Sequence, residues 1–353
     1  MTDSPSPRSV LGRLHGHLVG TYGLLALAAL LFLVFSLALP HTFPTRDNIS
    51  SILSNQSIPA ILALGATIPI ATGKFDLSIG YGLGLAHVMV LQLIVNEGWP
   101  WPLACLVVVC GGAAAGALNG VIVEFGQIDS FIATLGTGSM MYAFTGWITD
   151  GARIVPGPSG LPASFTGIYD SRFLGLPVPA FYILAVTAVL WLVLERLPAG
   201  RYLYVIGSNP RAAGILGIPT HRYSVYAFAG SGLVVGFAGV LLAAQQQTGN
   251  PSVGLDYLLP AFVGALLGST TIRPGRANAL GTLVAVAVLA IGLAGIGQFG
   301  VQFWATPLFN GVTLLIAVGL AGYSARRRLR TGATETRRSL AEPPSAPAEN
   351  GHP

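Results

Sequence analysis

Hydroxyls, amides and a single carboxylate are the chemistry-bearing groups that stand out of this otherwise apolar chain. Asp76 and Ser78 open one apolar stretch, FDLSIGYGLGLA, and the run SFIATLGT from Ser130 to Thr137 opens another directly after Asp129. In that run Phe131, Thr134 and Thr137 set an aromatic ring and two hydroxyls near a helix start. Two readings of the threonines stay open: they bond back to carbonyls of their own helix, or with Ser78 they offer hydroxyls to a neutral, hydrated solute. Asp76 either belongs to the same polar passage or caps the segment that runs on from Leu77. Gln245, Gln246 and Gln247, with Asn250 just beyond, close a later apolar stretch. This amide cluster is either a solvated helix end or a contact surface for a passing solute or a docked partner.

Other chemistries lack their residues. The six histidines, His15, His17, His41, His87, His221 and His352, are dispersed, and none stands at a metal-ligand spacing from a carboxylate. No G-x-S-x-G element is present. A nucleotide P-loop needs G-x-x-x-x-G-K-[ST], and the one lysine, Lys74, follows Gly73 but precedes Phe75, with Ile68 where the first glycine would stand. Catalytic residues, metal ligands and bound cofactors are therefore not expected, and any ATPase involved is a separate polypeptide. Asp, Glu and His are sparse within the apolar stretches, which disfavours an ion-coupled carrier. Cys105 and Cys110 share one apolar stretch and read as small fillers.

The elements that must position these groups are membrane helices. Of 353 residues, 52% are hydrophobic and 9% charged, against roughly 25% charged in a soluble domain. Apolar stretches predict an all-α polytopic protein of about ten spans near 20–39, 51–72, 77–96, 102–123, 130–149, 178–195, 223–246, 255–271, 278–297 and 303–322. Ten crossings put both termini on one side. Fifteen of the 18 Lys and Arg residues then fall on that side, leaving Arg46, Arg153 and Arg172 opposite, so the termini are expected in the cytoplasm. The positive charge reads as topology and not as a nucleic-acid surface. Residues 1–19 read as a cytoplasmic N-terminal segment, 20–322 as the membrane domain and 323–353 as a disordered cytoplasmic tail. Residues 72–80 and 255–276 are the weak points, where a broken or re-entrant segment is expected if protein covers its backbone.

One long connection, 196–222, falls on the cytoplasmic side: RLPAGRYLYVIGSNPRAAGILGIPTHR. A turn at Gly200 and Arg201 leads to Asn209, an N-cap, and Pro210, a first-turn residue. Arg211, Ala212 and Ala213 continue a helix that Gly217 and Pro219 end. Such a short helix of small residues either lies along the membrane surface or fits a groove in a partner. Gly112, Gly116 and Gly120 recur at four-residue intervals, as do Gly232 and Gly236, which marks two faces where helix backbones can approach closely. Gly80, Gly82 and Gly84 follow no strand and do not fit a dinucleotide loop.

Four motifs in order, FDLSIGYGLGLA at 75–86, NGVIVEFGQIDSFIATLGTGSM at 119–140, GRYLYVIGSNPRAAGILGI at 200–218 and LGSTTIRPGRANALGTL at 267–283, resemble the permease subunit of bacterial ABC importers of the ribose, xylose and arabinose type. The resemblance covers about 45–322. It implies a permease of the bacterial inner membrane that passes a monosaccharide, a pentose or hexose, inward by alternating access. It also implies partners: a second permease copy or a homologue, cytoplasmic ABC ATPase subunits carrying ATP and Mg, and a periplasmic or lipid-anchored sugar-binding protein. The stretch Gly200 to Ile218 is then expected to hold the helix that couples to the ATPases. The chain departs from the usual pattern before D-L-S, where Gly73, Lys74 and Phe75 replace the family's paired glycines. Other readings are a permease for amino acids, nucleosides or another polar solute, and a non-transporting membrane scaffold or receptor.

Overall fold

The computed structural model of this chain describes residues 7–300, 304–316 and 319. Helix α1 (Pro7–Ala38) is followed by α2 (Arg46–Asn55) and α3 (Ser57–Ala71), which are bent by 43° at Gln56. Next come α4 (Ser78–Leu91), drawn on by a π-helical turn Gln92–Asn96, then α5 (Trp101–Phe125) and α6 (Ser130–Thr149). A short α7 (Ala163–Asp170) and a hairpin of β1 (Arg172–Phe173) and β2 (Leu176–Pro177) lead to α8 (Val178–Trp191) and a second π turn, Leu192–Arg196. The chain continues through α9 (Pro198–Ser208), α10 (Pro210–Ile215), α11 (Thr220–Gln246), α12 (Leu255–Gly268), α13 (Ala279–Gln298) and α14 (Ala305–Ile316).

Local chemistry sets several of these starts. The side chains of Thr45, Asp129 and Asn278 each accept a backbone N–H in the first turn of α2, α6 and α13, which satisfies a donor that the helix itself cannot. The first helix begins at Pro7, upstream of the expected span, and its membrane-length apolar part is Thr21–Ala38. Its first turn carries the proline, where the missing N–H is harmless, and no breaker follows. The tail at 323–353, and parts of the span expected at 303–322, lie outside the described residues.

Each of the ten apolar stretches is helical among the described residues, but the expected count of ten spans is not met by length and apolarity. Among the described residues six helices are long and apolar enough to cross, or seven if the bent pair α2–α3 is one span. The differences have local causes. Glycines and hydroxyls dilute the apolarity of α6, and α12 carries Pro260 and runs for 14 residues, about 21 Å against a hydrocarbon core of roughly 30 Å.

The fold is built around α11, which packs against α3, α4 and α5 and has 78% of its most apolar window buried. The two glycine faces meet each other. A Cβ on Gly112 would stand 2.5 Å from the carbonyl oxygen of Gly232 and 3.0 Å from the Gly236 Cα, while one on Gly116 would strike the carbonyl of Phe228. The glycines of α4 work similarly: Gly80 lies against Leu258 and the Gly254 carbonyl, and Gly82 against Val235.

Candidate functional site

Between α3 and α4 the chain leaves the helix for six residues, Thr72–Leu77, in the middle of the bundle's polar side chains. Gly73 takes φ +77°, a left-handed turn that suits glycine. A buried non-helical stretch must find partners for its backbone donors. Lys74 N–H donates to the Pro69 carbonyl at 3.1 Å, Phe75 N–H to Ser130 Oγ at 3.1 Å and Leu77 N–H to Thr134 Oγ1 at 2.9 Å. Thr134 Oγ1 in turn donates to the Ser130 carbonyl at 2.7 Å. The back-bonding reading of Thr134 thus holds, and the same hydroxyl also receives the loop.

The Asp76 carboxylate closes this arrangement. Its Oδ1 accepts the Ser78 N–H at 3.1 Å and the Ser78 hydroxyl at 2.5 Å, and its Oδ2 accepts the Ser231 hydroxyl at 3.3 Å. Asn119 Nδ2 donates to Ser78 Oγ at 2.8 Å. The set is deeply buried, with Asp76 3%, Asn119 1% and Ser231 0% exposed. Three elements besides the loop contribute to it, and Asp76's hydrogen-bond partners are uncharged donors. Hydrogen bonds to a carboxylate are stronger than neutral ones, and losing a partner there leaves a costly buried group.

Asp76 and Ser78 also form one end of a cavity of about 230 Å³ whose walls, Gly82, Met89, Gly112, Met141 and Phe144 among them, are apolar. Phe131 and Thr137 do not line it. Phe131 is half exposed, with its N–H bonded to Asp129 Oδ1 at 2.9 Å, and the Thr137 hydroxyl donates to the Thr134 carbonyl at 3.3 Å. Sequence reading therefore named Asp76, Ser78 and Thr134 and missed Asn119 and Ser231. The signal was present in both, a lone polar side chain within an apolar helical stretch.

A second region forms an arm at one end of the bundle. In α9, Leu203 and Ile206 turn inward while Arg201 stays exposed. Tyr204 donates to the Ala277 carbonyl at 2.8 Å, and the Arg276 guanidinium lies 5.3 Å from the centre of its ring. Burial pushes the Tyr204 phenol up to about 12 despite Arg276. Glu195 pairs with Arg273. Gly200 sits against the Leu194 backbone with no room for a Cβ.

The helix expected after Asn209 is present as α10. Asn209 Oδ1 accepts the Ala212 N–H at 3.0 Å, and Gly217 at φ +75° turns the chain away. Its faces differ from expectation at one position. Ala213, read as part of a partner-facing surface, is 0% exposed and anchors α10 to its own chain, whereas Ile215 and Leu216 are 88% and 73% exposed. Arg211 is exposed and Ala212 half-buried.

The amide cluster stands at the opposite end of α11. Gln247, at φ +54°, donates from Nε2 to Asp170 at 3.3 Å, and Gln245 and Gln246 are half-buried. Asn250 N–H donates to His87 Nε2 at 3.1 Å, and Asn250 Oδ1 accepts Ser252 N–H at 3.2 Å. These groups tie the end of α11 to its neighbours.

Long apolar helices packed backbone to backbone around a buried, hydrogen-bonded loop define a multi-pass membrane protein. The chain matches, over residues 48–318, the family described as branched-chain amino acid transport system / permease component, and it belongs to that family. It is 31% identical to the ribose import permease of Haemophilus influenzae over 300 residues, 85% of this chain and 92% of that protein. It is 33% identical to the ribose import permease of Bacillus subtilis, over 77% of this chain and 83% of the relative. The autoinducer 2 import system permease protein LsrD of Escherichia coli SMS-3-5 is 32% identical over 73% of this chain and 78% of its own length. No solved structure matches significantly. The resemblance carried by the four sequence motifs is thus confirmed.

Proposed function

We propose that this chain is the membrane subunit of a bacterial ABC importer for ribose or a similarly compact, neutral, polyhydroxylated solute. The observation that carries this reading is the likeness to ribose import permeases at 31% and 33% identity over most of both chains. The loop site supports it, since the hydroxyls of Ser78 and Ser231 and the amide of Asn119 are groups that suit a neutral, hydroxylated solute. In this reading α6, α12 and α14 complete ten crossings with their neighbours, and both termini lie in the cytoplasm of a cell whose inner membrane holds the protein. ATP and Mg stay on separate ATPase subunits, which dock on the exposed face of α10. A second permease copy or homologue completes the conduit, and an external sugar-binding protein delivers the solute near Gln247. No enzymatic step belongs to this chain.

The test is reconstitution of the chain with its ATPase and binding protein in proteoliposomes, followed by uptake of labelled ribose, autoinducer 2 and leucine. ATP-dependent accumulation of ribose or autoinducer 2 and not of leucine is expected. Leucine uptake alone would overturn the sugar reading and leave the permease class intact.

A further inference from the structure

We propose that Glu124 is a positioning residue that ties the Thr72–Leu77 loop to the arm, so that movement of α10 is passed to the loop through an ionic link. The inference rests on the permease reading but not on the identity of the solute. Glu124 lies in the last turn of α5, and its side chain is 8% exposed. Its Oε1 pairs with the ammonium of Lys74, the one lysine of the chain, two residues before Asp76. Its Oε2 lies 2.7 Å from Nδ1 of His221, the second residue of α11. The His221 ring stacks on Phe125, with centroids 5.7 Å apart. One enclosed carboxylate therefore joins the loop, the end of α5 and the start of α11.

The loop is held from the other side as well. Gly207, in the last turn of α9, lies so close that a Cβ there would strike the Ala71 carbonyl and stand 3.1 Å from the Gly73 nitrogen. Helix α10 is thus bracketed: the residue two before its N-cap Asn209 touches the loop at Gly73, and a residue shortly after its end reaches the loop through Glu124. A push on Ile215 and Leu216 loads both contacts. An exposed ion pair would contribute little to such a linkage. Here the carboxylate is enclosed between two partners, so replacing Glu124 itself unties Lys74 and His221 together.

Two measurements on the full complex in proteoliposomes test this. Glu124→Gln is expected to keep assembly and ATP hydrolysis but to lower labelled ribose moved per ATP by about tenfold. Glu124→Asp, which keeps a carboxylate between Lys74 and His221, should recover part of that ratio. A ratio within twofold of the parent in Glu124→Gln overturns the proposal.

The second readout needs no sugar. Lys74 is acylated with a membrane-permeant amine-reactive ester and its peptide is read by mass. Protection in the nucleotide-free complex, and faster labelling once the ATPases are trapped with ATP and vanadate, is the expected result. Equal labelling of the parent in both states overturns the linkage even if Glu124→Gln fails to assemble. Absence of ribose uptake by the parent, with nucleotide-dependent labelling intact, counts against the solute and not against the link.

Discussion

The α5–α11 seam and the Thr72–Leu77 loop are neighbours held by opposite means. Along the seam, glycines let backbone meet backbone, and a Cβ at Gly116 or Gly232 would collide with a carbonyl of the facing helix. Around the loop, side chains reach in from α5, α6 and α11 to hold an irregular backbone by hydrogen bonds and one ion pair. Packed backbone has no alternative arrangement close in energy, because interiors transmit strain and resist small volume changes. A set of hydrogen bonds can exchange partners. The seam is therefore expected to behave as one rigid body and the loop as the part that changes state.

The largest expected effect comes from breaking the seam. In Gly116→Val a branched side chain meets the Phe228 carbonyl, and neither backbone can withdraw without parting the two helices. Overpacking of this kind costs about 3 kcal/mol. Thermal unfolding in detergent should show a clear fall in midpoint and a loss of chain from the membrane fraction. A loss of less than about 1 kcal/mol would mean that the seam yields and is not the rigid partner in the comparison.

A loop substitution should separate function from folding where a seam substitution cannot. Asp76→Ala removes the acceptor of the Ser78 N–H, the Ser78 hydroxyl and the Ser231 hydroxyl. Without it the loop loses its closed geometry, and uptake per chain is expected to fall about a hundredfold. Asp76→Asn keeps one acceptor oxygen and should lose about tenfold. Both variants should reach the membrane in parent amounts. If Asp76→Ala instead unfolds as Gly116→Val does, the loop is as rigid as the seam.

The same contrast explains what could be read in the sequence. Glycine spacing marked both faces of the seam, because a four-residue interval on a helix is a local property. The helix after Asn209 was legible for the same reason, as cap, proline and terminating glycine all lie within nine residues. Contacts between distant segments left weaker marks. Lys74 attracted notice as a missing P-loop lysine and as a departure before D-L-S, while its pairing with Glu124 brings together residues fifty positions apart in sequence. Asn119 and Ser231 were single polar residues in apolar stretches, and no spacing rule links them to Asp76. Span counting runs ahead of helix length and apolarity where helices are bent or short, since composition does not reveal the 43° bend at Gln56 or where α12 stops. Ala213 shows the limit from the other side: a small residue looked suited to a partner's groove and serves instead to seat α10 on its own chain.

The smallest effect sharpens the comparison from outside both regions. Asn209→Ala removes the side chain that accepts the Ala212 N–H at 3.0 Å, a loss of about 1 kcal/mol for an N-cap. Helix α10 has six residues, too few to be stable by itself, so that loss falls on the order of the arm and not on the bundle. Thermal unfolding of the whole chain should stay close to the parent, while ATP-driven uptake drops about fivefold because fewer arms present Ile215 and Leu216 in a fixed geometry. Asn209→Ser supplies another capping oxygen and should restore most of the loss. If the alanine variant lowered the unfolding midpoint as Gly116→Val does, α10 would be part of the rigid body. The loop would then have no separate mover, and the division between a stiff seam and a responsive loop would have to be abandoned.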